Sequence, residues 1–290
     1  MNNDNLCRLC PNDCKVDRTT HTGVCHAKSD IRIAKYYLHP YEEPCLSGQK
    51  GSGTIFFTGC SLGCVFCQNY ELSRNLRGKD IGVSELAKIF KELEDMGAHN
   101  INLVSPTVYS DKIINALDIY KPSVPVVYNT HGYEKPEIIE KLNDYVDVYL
   151  PDIKFYSEAL SKRYTGKSDY FKVASRAIEL MANKPLIFDQ NGLIKSGVIV
   201  RHLVLPQCTS DSIKILDWFS DNRIKDKAYI NVMSQYTPFG DIENFPELKR
   251  KLTRREYDKV IDYAISLGID KMYYQEFESV GTEYIPKWDF

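Results

Sequence analysis

Gly59-Cys60-Ser61-Leu62-Gly63-Cys64-Val65-Phe66-Cys67-Gln68-Asn69 follows directly on the apolar stretch Thr54-Ile55-Phe56-Phe57, with its three cysteines in C-x3-C-x2-C spacing. Cysteine sulfur is the usual ligand of iron–sulfur clusters, and a [4Fe-4S] cube takes four such ligands. Three local thiolates therefore leave one iron open to another molecule. Zinc instead favours four ligands in paired knuckles. Gly59 and Gly63 carry no Cβ, which lets a loop bend tightly and close on a bulky group.

Working outward from this loop, 290 residues suffice for one large domain, or a domain with an appendage, that buries a substantial core. No run approaches the ~18 apolar residues of a spanning helix. Met1-Asn2-Asn3-Asp4-Asn5 has neither the basic nor the apolar region of a secretory leader. A cytoplasmic location without membrane attachment is the expectation. A formal charge of -2 gives no overall attraction to nucleic acid or anionic lipid, so neither is an expected partner. Nine cysteines in such a chain point to metal ligation rather than disulfides.

Residues 1–50 hold a second constellation, Cys7-x2-Cys10-Pro11-x2-Cys14 followed by Cys25. Four thiolates fill a tetrahedral zinc site or a closed iron–sulfur cluster equally well. Either would cross-link a segment too small to bury a core of its own. His21 and His26 read as solvated loop residues. From Ile31 to Gly53 the punctuators His39-Pro40, Glu43-Pro44 and Gly51-Ser52-Gly53 suggest a linker onto a core domain spanning 51–290. Cys45 and Cys208 are left over and each reads as an inert thiol, with Cys45 the one close enough in sequence to reach a site near the cysteine loop.

Beyond Cys67, strand-like and helix-like stretches alternate, the pattern of a parallel sheet built from βα units. Leu86, Ile89, Phe90 and Leu93 stand at helical spacing before Gly97. Strands are expected at Ile101–Val104, Pro125–Tyr128, Val146–Leu150, Val198–Leu205 and Ala228–Met233. Helical patterns surround Asp111–Ile119, Pro136–Leu142, Tyr170–Met181 and Ser212–Phe219. Thr253-x-x-Glu256 forms a capping box that opens a helix with Tyr257, Val260, Ile261, Ala264 and Ile265 on one face. Asp189-Gln190-Asn191-Gly192 reads as a hairpin turn. With the strand before the cysteine loop, this makes six βα units of an α/β fold.

The cysteine loop resembles the cluster motif of the radical S-adenosylmethionine (radical SAM) superfamily in its spacing and in Phe66 before the third cysteine. That resemblance implies a partial (β/α)6 TIM-like barrel with the small cysteine-rich segment at its N-terminal side. It also implies a [4Fe-4S] cluster on Cys60, Cys64 and Cys67, SAM chelated at the open iron, and an electron donor such as ferredoxin or flavodoxin. Ligands in such barrels gather at the carboxyl ends of the strands. The candidate cofactor contacts are accordingly Phe66, Ser105, Thr107, Asn129, Thr130, Lys154 and Arg201. Ser105-Pro106-Thr107 departs from the glycine-rich stretch that many members use for the SAM amino group. Asp152-Ile153-Lys154 is similar to a segment of enzymes that activate glycyl-radical enzymes, with Lys154 directed at the SAM carboxylate. Arg201 and His202 fall on opposite faces by the period of two. Arg201 is assigned to a carboxylate for its planar fork, and His202 to a structural role.

Tyr41-Glu42-Glu43-Pro44-Cys45-Leu46-Ser47-Gly48, Tyr149-Leu150-Pro151-Asp152, Val200-Arg201-His202-Leu203-Val204-Leu205-Pro206 and Met233-Ser234-Gln235-Tyr236-Thr237-Pro238 resemble the PflX family. That family is related to pyruvate formate-lyase activating enzymes. The resemblance implies hydrogen abstraction from an undefined substrate, with a protein or peptide backbone as the leading class and a small molecule second. A non-catalytic iron–sulfur redox sensor or electron carrier, and a zinc-dependent binding module, are the readings from other classes.

Overall fold

The computed structural model describes residues 6–275 and 277 of the chain. Its sheet begins with β1 (Ile31–His39), then a one-turn helix α1 (Pro44–Ser47) and β2 (Ser52–Phe57). The cysteine loop leads to α2 (Tyr70–Ser73), β3 (Lys79–Ile81) and α3 (Val83–Asp95). Four units follow: β4 (Ile101–Val104) with α4 (Ser110–Ile119), β5 (Val126–Thr130) with α5 (Pro136–Leu142), β6 (Val148–Pro151) with α6 (Glu158–Thr165) and α7 (Tyr170–Met181), and the hairpin β7 (Ile187–Phe188) and β8 (Ile194–Leu203) with α8 (Thr209–Asp221). The described chain closes with β9 (Tyr229–Met233), α9 (Arg254–Ser266) and β10 (Met272–Tyr274).

The sheet order is β10-β9-β8-β6-β5-β4-β2-β1-β3. From β2 to β10 every neighbouring pair is parallel and follows chain order, so the sheet winds in one direction. Such winding curls a sheet around one lumen with the helices outside, which is the partial TIM-like barrel expected. β1 continues the open edge antiparallel to β2, and β3 pairs antiparallel with β1. Six strands carry helical crossovers as expected, and β10 adds a seventh parallel strand whose Tyr273-Tyr274 gives too short a run to read as one.

Helix α3 shows how the outer layer is held. Leu86, Ile89, Phe90 and Leu93 are all buried, in the same core cluster as Ile55 and Phe57 of β2 and Ile101 and Leu103 of β4. Each such side chain contributes about 1.5–3 kcal/mol of burial. Gly97 ends this helix at φ +86°. The capping box at Thr253 and Glu256 is present with both reciprocal bonds. On that helix Tyr257, Val260, Ile261 and Ala264 are buried, whereas Ile265 is 61% exposed: it falls one position past the apolar stripe. The Asp189–Gly192 turn joins β7 to β8, with Asp189 Oδ1 accepting from the Asn191 and Leu193 amides. No helix among the described residues is long and apolar enough to cross a membrane.

The stretch 31–53 is not a linker. Ile31–His39 is a nine-residue strand, and its period of two is broken by a register shift between Ile33 and Lys35. That bulge hides the strand from a pattern reading, because the inward set changes parity halfway along. Residues 44–47 then fold into the barrel itself. Cys45 and Leu46 pack against Val127, Val148, Leu150 and Ile199, plugging the lumen near the amino ends of β8 and β9. Cys45 is thus an inert buried thiol: it lies at the end of the barrel opposite the cysteine loop. Burial there pushes its thiol up to about 11.

Candidate active site

The cysteine loop leaves the carboxyl end of β2 and is fixed from three sides by backbone hydrogen bonds. Gly59 N–H donates to Leu72 O (2.9 Å), Val65 N–H to Tyr164 O (3.0 Å), and Asp241 N–H to Val65 O (2.8 Å). Both glycines are required. Gly63 sits at φ +72°, and a Cβ on it would fall 1.0 Å from the Arg74 guanidinium. Gly59 sits at φ +82°, where a Cβ would meet Cys25 O at 3.0 Å. Phe66 turns inward, edge-on to Phe155, Tyr164 and Tyr236 at about 6 Å, and so anchors the loop to the barrel wall.

All nine cysteines are free thiols. Burial pushes Cys64 and Cys67 upward, and the Cys60 thiolate adds to both shifts. Burial also opposes ionisation of Cys60, whereas hydrogen bonds from the His131 ring and the Gly63 and Leu62 amides favour it. His131 Nδ1 accepts the Tyr133 amide (3.1 Å), so Nε2 carries the ring proton and faces Ser61 Oγ at 2.9 Å and Cys60. No three Cys, His, Asp or Glu side chains among the described residues converge closely enough to hold a single ion. Cys60 is close enough to both Cys64 and Cys67 for their charges to couple.

Lys154, just past β6, lies near Cys64 and Cys67. Burial works against its charge, but Asp152, 2.6 Å from the ammonium, and the Cys64 and Cys67 thiols hold it well above the usual lysine range. Asn129 is buried at the end of β5. Its carbonyl accepts from Ser105 N–H (2.9 Å), which holds half-buried Ser105 at φ +59°. Thr107 and Thr130, expected to face a cofactor, instead bind a buried carboxylate of the protein. Thr107 Oγ1 donates to Glu134 Oε1 at 2.6 Å, and the Thr130 hydroxyl donates to the same oxygen. Burial raises the Glu134 pKa, and its Oε2 has no partner among the described residues.

Arg201 departs further from expectation. Its guanidinium is taken up by two consecutive glutamates from the segment before α1: Nε donates to Glu43 Oε1 (2.7 Å), and Nη2 to Glu43 Oε2 (2.5 Å) and to Glu42. Asn231 of β9 donates to Glu43 (2.7 Å) and Asn102 of β4 to Glu42 (2.7 Å). β4 and β9 are not neighbours, so these bonds cross the interior and form a polar floor above the Cys45–Leu46 plug. The fork does find a carboxylate, but one supplied by the chain itself, and this corrects its assignment to SAM. Glu42, Glu43, His131 and Glu134 were missed by sequence reasoning. The one available signal was the doubly acidic Glu42-Glu43 ahead of an apolar turn.

His202 points the other way, as the alternation predicts. It bridges Ile153 O and Ser212 Oγ, each at 2.8 Å, and burial lowers its pKa to about 4. A depressed folded pKa means that the unfolded chain binds the proton first, so stability is full above 6.5 and falls as pH drops toward 4. At about 1.4 kcal/mol per pKa unit, this side chain alone removes about 2 kcal/mol between pH 7 and pH 5. Unfolding free energies from urea titrations at the two pH values should differ by that much more in the parent chain than in His202→Asn.

At the N-terminal side, His21 and His26 are exposed as expected. Cys208 is buried ahead of α8, where burial pushes its thiol up to about 12.

The sequence model of the Radical SAM superfamily matches residues 54–196. The chain is 35% identical over 280 residues to the uncharacterized protein MJ0674 of Methanocaldococcus jannaschii, covering 92% of this chain and 76% of that protein. Its fold is similar to that of Streptococcus suis SuiB crystallised with the precursor peptide SuiA, with a TM-score of 0.52 and 16% identity over 75% of this chain and 46% of SuiB. SuiB bound to S-adenosylmethionine gives 0.51 and 17% over 74% and 47%. The chain thus spans less than half of SuiB, and that likeness is one of fold. With the three-cysteine loop set at the carboxyl mouth of a singly wound parallel barrel, residues 54–196 form a Radical SAM superfamily domain.

Proposed function

We propose that the chain holds a [4Fe-4S] cluster on Cys60, Cys64 and Cys67 and uses it with SAM to abstract hydrogen from a protein or peptide substrate, as an enzyme of the PflX type. The observation that carries this reading is the loop itself: three free thiols at the carboxyl mouth, Cys64 buried and Cys60 and Cys67 half-buried, with the Lys154 ammonium beside two of them. When bound, the cluster and SAM supply one-electron cleavage of the sulfonium to methionine and a 5'-deoxyadenosyl radical.

The chain's own residues bind, orient and exclude water. Lys154 is steered by Asp152 and offers a fixed cation to the SAM carboxylate and to the anionic thiolates. Asn129 and Ser105 present amide and hydroxyl groups at neighbouring strand ends for the amino acid and ribose parts. His131 directs its Nε2 proton at Cys60 and Ser61, setting the hydrogen bonding around one ligand sulfur, a known determinant of cluster potential. The floor of Arg201, Glu42 and Glu43 closes the lumen beneath the site. The peptide class rests on the resemblance to glycyl-radical activases, with a low-potential ferredoxin or flavodoxin as donor.

The test is anaerobic reconstitution with iron and sulfide, reduction with dithionite, and addition of SAM. 5'-Deoxyadenosine measured by mass spectrometry, together with a SAM-dependent change in the cluster's EPR signal, is the expected result. An EPR-active cluster that ignores SAM and yields no product would make the chain an electron carrier instead.

A further inference from the structure

The cysteine loop is held from two sides. On its outer side lies the N-terminal segment, whose Cys7, Cys10, Cys14 and Cys25 line a void of about 10 Å³. Asn12, 3.6 Å from Cys10 Sγ, donates from Nδ2 to Ser61 O at 2.7 Å, and Cys25 O lies against Gly59. On its inner side stand the two side chains that bear on the thiols, His131 beside Cys60 and Lys154 beside Cys64 and Cys67. They come from different strand ends, His131 following β5 and Lys154 following β6. Residues on loops are held loosely unless something ties them down.

One side chain ties down both. Tyr170, the first residue of α7, is fully buried, and its phenol reaches the backbone of three residues at the mouth. It accepts from the Lys154 amide at 3.0 Å and shares its own proton between His131 O at 2.9 Å and Asp152 O at 3.0 Å. A phenol has a single proton to donate, so the two carbonyls occupy its whole donor capacity. The two strand ends approach closely enough to demand glycine at position 132, where φ is +78° and a Cβ would fall 2.2 Å from Asp152 O.

Tyr170 is itself held in place. Its ring stacks on that of Tyr133, with centroids 6.2 Å apart and planes at 19°. Tyr133 donates its phenol proton to Asp169, the residue before Tyr170, at 2.8 Å, and its amide proton to His131 Nδ1 at 3.1 Å. Phe155 meets Tyr170 edge-on at 5.8 Å and Phe66 edge-on at 6.1 Å, and Phe66 precedes Cys67. Packing here asks only for a ring, which phenylalanine would supply. The hydroxyl serves the backbone of His131, Asp152 and Lys154.

We propose that Tyr170 is a positioning residue: its phenol sets where the Lys154 ammonium stands relative to the three thiols, and so how tightly SAM is held. The step to SAM rests on the proposed function, in which Lys154 meets the SAM carboxylate. The tie between the two strand ends stands without it. Tyr170 acts through these neighbours and takes no part in bond making or breaking.

Two measurements on the full chain test the two halves. Hydrogen exchange followed by mass spectrometry reads the tie: in Tyr170→Phe the Lys154 amide should exchange at least about tenfold faster, with the amides of α3 unchanged. Exchange at Lys154 equal to the parent's would overturn the tie. For the second half, each chain is reconstituted anaerobically with iron and sulfide, left oxidised, and its SAM affinity measured by equilibrium dialysis. Tyr170→Phe should weaken SAM binding about tenfold at the parent's iron content, the low end of the range for an outer-shell partner. Lys154→Met should weaken it at least as much. Tyr170→Phe/Lys154→Met should then lose no more than about twofold beyond Lys154→Met, since Tyr170 has no ammonium left to place. Losses that multiply in the double variant would overturn the proposal, because a residue that merely packs acts independently of Lys154. Parent-like SAM affinity in Tyr170→Phe would overturn it too. If Tyr170→Phe does not fold, Tyr133→Phe takes its place in both measurements: it releases Asp169, keeps the stacked ring and should loosen Lys154 in the same sense, and parent-like results would count against the proposal equally. An iron-loaded parent that binds no SAM would sink the proposed function, and the exchange rates would then decide the tie by themselves.

Discussion

Cys60→Ala, reconstituted and reduced alongside the parent chain, releases 5'-deoxyadenosine from SAM at a rate lower by more than about 100-fold. Outer-shell partners of metal sites are already worth 10–100-fold, and a direct ligand is worth more. The physical cause lies in the count of thiols: with three local sulfurs, removing one leaves a two-point attachment. Cys45 cannot substitute, because it is buried in the plug at the far end of the lumen. Cys208→Ala is the control and should keep product formation within about threefold, since its buried thiol faces no cluster. Mass spectrometry of the nucleoside product reads both variants, and equal product from Cys60→Ala and the parent is the result that would rule the loop out as the cluster site.

The second large effect is on stability. Arg201→Met leaves Glu42 and Glu43 buried side by side with no cation between them, and breaking a buried pair in this way costs about 3–5 kcal/mol. For a domain of this size the melting temperature should fall by roughly 6–20 °C. The sign of the pH dependence follows from Glu43. Burial pushes its carboxyl up, but the Arg201 guanidinium and the Asn231 amide overcome burial and hold it below the usual glutamate value of 4.5. Its contribution is therefore complete above 4.5 and is lost as pH falls through the lower, folded value. In Arg201→Met that relation inverts. The two carboxylates repel, stability improves on mild acidification as one of them takes up a proton, and a thermal melt series from pH 7 to pH 5 reads the difference. A variant as stable as the parent, with the same pH profile, would mean that the floor is not held by this ion pair.

The cysteine loop and the alternation of strand and helix were legible because both are local. Ligand spacing within eight residues and apolar periods of two and 3.6 are set by bond geometry and side-chain direction, which the sequence displays directly. Six of the parallel strands, their crossovers, the Thr253 capping box and the outward role of His202 follow from that alone. β1 was hidden because a bulge changes which residues face inward. β10 was hidden because three residues carry too little pattern. The polar contacts misled for a different reason: a threonine or an arginine at a strand end offers the same atoms to a cofactor or to the protein, and its own chain occupies it first whenever a carboxylate lies in reach.

What the residues determined by themselves was therefore the spacing of three thiols, which suits an iron–sulfur cluster, and the class of barrel that carries them. Tertiary structure alone decided which partners each polar group meets. It placed Glu42 and Glu43 under Arg201 across 159 and 158 residues of sequence separation, Glu134 under Thr107 and Thr130, and Asn12 between the two cysteine sites. Such pairings depend on how far the sheet curls and on what fills its lumen, quantities that no local period encodes.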